Sequence, residues 1–105
     1  MELEVTSLDD IVQVSVEGEV DLFYSPKLRE LILDELTKGQ GVAVELSQVT
    51  YIDSSGIASL VEAYQFAKTH NRHFTLLNTS TPVIQVLKLA RLDKVIPMQT
   101  SSENN

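Results

Sequence analysis

The sequence predicts an α/β fold: a mixed, mostly parallel β-sheet packed with α-helices, in the order β-β-α-β-α-β-α-β. Three observations carry this reading. Short apolar runs show the alternating spacing of strands, and longer stretches show the 3.6-residue spacing of helices. After an opening hairpin, the two patterns alternate, which implies parallel strands joined by helical crossovers plus one antiparallel edge.

The hairpin is read from Leu3–Leu8 and Ile11–Val16, which flank the turn-forming pair Asp9-Asp10. Ser25-Pro26 then has the form of a helix start, with serine as cap and proline at the first helical position. Leu28, Leu31, Ile32 and Leu36 follow as one apolar stripe, and Gly39 and Gly41 end it. Val42–Leu46 reads as a buried strand. A second helix begins around Asp53-Ser54-Ser55, with Ile57, Leu60, Val61 and Tyr64 as its expected buried face, and runs to about Thr69. Phe74–Asn78 is the next strand, and Thr81-Pro82 repeats the cap-then-proline signal before Val83, Val86, Leu87 and Ala90. Val95–Met98 is a last short extended segment. Residues 1–98 are therefore expected to form one domain, and 99–105, which offer nothing to bury, a flexible tail.

Composition narrows the function classes. A chain of 105 residues fits one domain with a single core. An apolar fraction of 43% against 22% charged residues is that of a folded protein. The absence of cysteine removes disulfide scaffolds and thiol chemistry together. Acidic residues at Glu2 and Glu4 stand where a signal peptide would carry bases, and no apolar run nears the roughly 20 residues that span a bilayer, so a cytoplasmic protein without membrane insertion is expected. Net charge is −7, concentrated in residues 1–53, which hold 12 acids and 3 bases. Such a surface repels phosphate backbones, so a protein partner is expected and nucleic acid is not. Most of these acids are read simply as solubilising surface.

Nucleotide and metal signals are missing. With four glycines there is no phosphate-cradling glycine loop. His70 and His73 are the only histidines and bracket a turn without nearby carboxylates, so no metal site is expected. Asp53, Ser54 and His70 are the residue types of a serine hydrolase, but one helix of about 24 Å separates Ser54 from His70. A general base must lie within hydrogen-bond reach of its nucleophile, so catalysis is not expected.

What remains is Tyr51-Ile52-Asp53-Ser54-Ser55-Gly56. At minimum this is a strand-to-helix turn, with Asp53 or Ser54 as cap and Gly56 permitting close packing. The same turn presents a hydroxyl at a helix N-terminus, where free N–H groups and the helix dipole tolerate an anion. A phosphate could be added there without unfolding the helix, and its charge would change what the surface binds. Capping and switching are compatible readings of one turn.

Asp53-Ser54-Ser55-Gly56-Ile57, preceded by Val44 to Ile52, resembles the signature of the STAS family, specifically the bacterial anti-sigma factor antagonists. Gly18-Glu19-Val20-Asp21 is similar to an earlier motif of that family, Ser25–Glu30 to its first helix start, and Leu76–Val83 with Leu92–Val95 to its C-terminal third. The resemblance runs in order over residues 3–98. It implies that Ser54 is the phosphorylated residue and that Asp21, Asp53, Ser54, Ser55 and Gly56 belong to the partner-binding surface. The implied partners are an anti-sigma factor with GHKL-type serine kinase activity and a PP2C-type phosphatase. The unphosphorylated form would bind the anti-sigma factor and free the sigma factor. ATP would belong to the kinase, so no cofactor is expected here.

Three positions depart from the family pattern: Asn71-Arg72-His73, Ala58 and Arg91 stand where glycines are frequent. Asparagine tolerates a left-handed turn, so the first departure is mild. A second reading is a STAS subunit docked on the ATPase of an ABC transporter, unphosphorylated; the hydroxyl at Ser54 disfavours it. A small hydrolase is the third.

Overall fold

The computed structural model describes residues 1–100. Strand β1 (Glu2–Leu8) returns through Asp9 and Asp10 into β2 (Ile11–Val20). Helix α1 (Ser25–Thr37), β3 (Gly41–Ile52), α2 (Ser54–Thr69), β4 (Phe74–Leu77), α3 (Thr81–Leu89) and β5 (Met98–Gln99) follow. The strands form one five-stranded sheet in sequence order, antiparallel between β1 and β2 and parallel elsewhere. The predicted mixed, mostly parallel sheet is the observed one.

The core follows from strand alternation. Val12, Val14 and Val16 of β2 and Val42, Val44 and Leu46 of β3 are buried. Leu28, Ile32 and Leu36 of α1, Leu60 of α2 and Leu87 of α3 join the same cluster. Each such side chain contributes about 1.5–3 kcal/mol on full burial, so this cluster fixes where α1 and α2 lie.

β2 and β3 run further than their expected ends at Val16 and Leu46. Their register shifts between Ser15 and Glu17, and again between Gly18 and Glu19, so the apolar phase breaks while pairing continues to Val20 and Ile52. Gly18 adopts φ +97 at this irregularity, a conformation open to glycine at little cost. The extension matters because it delivers Asp21 and Asp53 to the same end of the sheet.

Two expected helix caps are corrected. Ser25 is the first residue of α1 and is buried, and Tyr24 is the N-cap without a side-chain cap bond. The entry turn is held by Asp21, whose carbonyl accepts from Ser25 N at 2.7 Å and whose Oδ1 accepts from Phe23 N and Tyr24 N. Thr81 likewise lies inside α3, and Ser80 is its N-cap, spending its hydroxyl on Val49 O at 2.7 Å. In both cases the serine has a tertiary partner, which sequence cannot reveal.

The face of α2 also differs. Ile57, Leu60, Ala63 and Ala67 are buried, whereas Val61 and Tyr64 are only partly covered. Small alanines let the helix approach closely and take the interior positions. The last strand begins at Met98 instead of Val95, because Val95 N and Ile96 N turn back to Leu92 O. Gln99, expected in a tail, pairs with Leu77, and residues 101–105 lie outside the described residues.

Asn71 takes φ 57, as its tolerance of left-handed turns leads one to expect. Arg91 takes φ 61 while Leu92 N closes the end of α3 on Leu87 O at 2.8 Å. A non-glycine residue in that conformation costs about 1–2 kcal/mol. Among the described residues, no helix is long and apolar enough to cross a membrane.

Candidate functional site

At the C-terminal ends of β2 and β3 the chain leaves the sheet twice, through Asp21–Tyr24 into α1 and through Asp53 into α2. The two exits are bonded together. Asp53 is the N-cap of α2, as the sequence suggested, with extended backbone (φ −106, ψ −173). Its Oδ1 accepts from Ser55 N at 2.9 Å, Gly56 N at 3.1 Å and the Ser55 hydroxyl at 2.6 Å. Its Oδ2 reaches across to accept from Leu22 N at 3.1 Å. One carboxylate therefore caps a helix and braces the neighbouring loop.

These bonds separate two serines that sequence leaves equivalent. Ser55 donates to Asp53 and accepts from the Ser25 hydroxyl at 3.1 Å, so its oxygen is engaged from two sides. Ser59 lies below, buried, donating to Ser25 O and Ser55 O. Ser54 is exposed, and its hydroxyl has no hydrogen-bond partner among the described residues. It stands in the first turn of α2, where the helix dipole favours added negative charge.

Of the five residues expected at the site, Asp21, Asp53, Ser54 and Ser55 lie on these two exits. Gly56 is buried beneath them, serving the site by its backbone N–H and its lack of a side chain. Sequence reasoning missed Ser59 and the hydroxyl partner of Ser25, which tie the start of α1 to α2. The sequence placed the 22–25 loop on the docking face without singling out Leu22 and Phe23, which are 73% and 81% exposed beside Asp53. Adjacent large apolar residues in a short loop were the available signal. His70 lies past the far end of the 16-residue α2, its Nδ1 donating to Phe66 O and its ring stacked on Phe66 at 4.0 Å. His73 is exposed.

The Asp53 carboxyl is held below the ordinary carboxylate range, first by the Ser55 hydroxyl; burial, the next largest effect, opposes this, and the backbone N–H groups of Gly56, Ser55 and Leu22 add to the lowering. Its stabilising contribution is therefore complete above the unfolded value of about 4 and is lost as pH falls through the lower folded value. Asp53→Asn, which cannot ionise, should flatten the dependence of melting temperature on pH below about 4 relative to the wild type. Parallel curves for the two proteins would contradict the assignment.

The profile of the STAS domain family matches residues 2–105. The chain belongs to the STAS domain family. Among curated relatives, an anti-sigma-B factor antagonist of Bacillus subtilis (strain 168) is 27% identical over 101 residues, covering 96% of this chain and 93% of the relative. An anti-sigma-factor antagonist (STAS) domain protein from Planctomyces limnophilus shares the fold at TM-score 0.82 and 20% identity, over 96% of this chain and 92% of that one. The phosphorylated form of the Bacillus cell fate determinant SpoIIAA does so at TM-score 0.78 and 18% identity, over 97% and 93% of the two chains. In this STAS domain, Asn71 and Arg91 take left-handed backbone conformations (φ 57 and 61), and Ala58 is an exposed residue of α2.

Proposed function

We propose that this STAS domain is an anti-sigma factor antagonist whose partner binding is switched by phosphorylation of Ser54. The observation that carries the reading is the contrast within one turn: Ser54 exposed and unpartnered among the described residues, Ser55 locked by Asp53 and Ser25. The unphosphorylated surface binds an anti-sigma factor with GHKL-type serine kinase activity and releases the sigma factor. The kinase transfers the γ-phosphoryl group of its ATP to Ser54 Oγ, the hydroxyl proton leaves, and ADP remains with the kinase. A PP2C-type phosphatase hydrolyses the ester, returning the hydroxyl and inorganic phosphate. This chain supplies an acceptor and a docking face and performs no catalysis itself.

Incubation with the anti-sigma kinase of the same genome and ATP should place one phosphate, on Ser54, and Ser54→Ala should abolish labelling. Ser55→Ala should still be labelled, since it keeps the exposed hydroxyl. Peptide mapping that located the phosphate on Ser55 would overturn the assignment. A chain never labelled by such a kinase, yet bound to a transporter ATPase, would favour the docking-subunit reading.

A further inference from the structure

Leu22 and Phe23 are two large apolar side chains, 73% and 81% exposed, adjacent in one short loop. Contiguous exposed apolar surface of this kind marks an interaction site. The loop is not slack. Leu22 N donates to Asp53 Oδ2 at 3.1 Å, Phe23 N to Asp21 Oδ1 at 3.0 Å, and the Phe23 ring stands edge-on to Tyr24 with centroids 4.9 Å apart. The apolar surface continues past Phe23 into a groove between β1 and α1 floored by Leu3, Val5 and Leu31. At the sheet end beside the loop stand Glu19, Asp21 and Asp53, with Tyr51, half exposed, pairing with Glu19. Lys27, in the first turn of α1, lines the groove together with Glu30 and Asp34.

From this geometry we infer that Leu22–Phe23 is a pre-formed apolar anchor which inserts into an apolar pocket with a basic rim on the protein that docks over Ser54. This rests on the proposed function and adds the chemistry of recognition to it. Bracing by two carboxylates means that little ordering is left for the moment of binding, which is where such anchors gain affinity. A central aromatic shielded by its neighbours is the form that dominant interface residues take. The acids around it select a basic rim and make the encounter sensitive to salt.

The test is a titration of the anti-sigma kinase of the same genome with wild type, Phe23→Ala, Leu22→Ala/Phe23→Ala, Phe23→Leu and Leu89→Ala. Leu89 is 85% exposed at the end of α3 and controls for loss of apolar surface in general. Phe23→Ala should weaken binding at least tenfold and the double variant more, Phe23→Leu should recover part of the loss, and Leu89→Ala should match wild type. Melting temperatures should all agree within a few degrees. Raising sodium chloride from 50 to 500 mM should weaken wild-type binding several-fold, and no salt effect would overturn the basic rim. Wild-type affinity in Phe23→Ala would overturn the anchor while leaving the switch intact. No binding by the wild type would instead overturn the proposed function beneath it.

Discussion

Phosphorylated protein and Ser54→Asp should both bind the anti-sigma partner at least tenfold more weakly than the wild type, a loss of about 1.4 kcal/mol or more. Their melting temperatures should shift by only a few degrees. The two halves of this result have different causes. A negative charge in the first turn of α2 meets a dipole that favours it by about 0.3–1 kcal/mol, so the fold tolerates it. The N–H groups of Ser55 and Gly56, however, are already spent on Asp53. The new charge sits beside an existing carboxylate and must be desolvated when the partner docks. Phosphate, with a charge of about −1.5 to −2, should lose more than aspartate. Titrating wild type, Ser54→Ala, Ser54→Asp and phosphorylated protein, with thermal melts alongside, checks both halves. Equal affinity across the four would sink the switch, and a loss that tracked unfolding would reduce Ser54 to a helix residue.

Gly56→Ala should cost more stability than any surface change at the site. A Cβ there would stand 2.6 Å from Ile52 Cγ1, 2.9 Å from Val20 Cγ1 and 2.9 Å from Val20 O. Two of these neighbours are core side chains and the third is backbone, so none can step aside freely. Overpacking of this kind typically costs about 1–3 kcal/mol, and here it presses α2 away from the ends of β2 and β3. For a domain of this size each kcal/mol lowers the melting temperature by about 4–8 °C, so a drop of roughly 10 °C is expected. Gly56→Val should be worse. Because α2 carries Ser54, the variant should also be labelled more slowly by the kinase well below its melting point. A melt within about 2 °C of wild type would show that the helix shifts without penalty.

The element order and the identity of the turn were legible for a local reason. Alternating valines in 12–16 and 42–44, the apolar stripe from Leu28 to Leu36 and the acidic hairpin turn each report on the segment that contains them. The family signature likewise lies in contiguous residues. The early ends assigned to β2 and β3 came from reading periodicity across a register shift, where the apolar phase changes but pairing does not.

The sequence by itself determined the α/β order, the single antiparallel edge, the STAS resemblance and a helix cap at Asp53 or Ser54, since these depend on spacing and on residues within a turn of one another. Only the tertiary structure decided which serine is free. Ser25 and Ser55 are 30 positions apart, as nearly are Leu22 and Asp53, and their hydrogen bonds exist because the sheet brings two strand ends together. A hydroxyl or a carboxylate carries the same letter whether its partner is solvent or a distant loop, and that choice of partner is what leaves Ser54 exposed and Ser55 held.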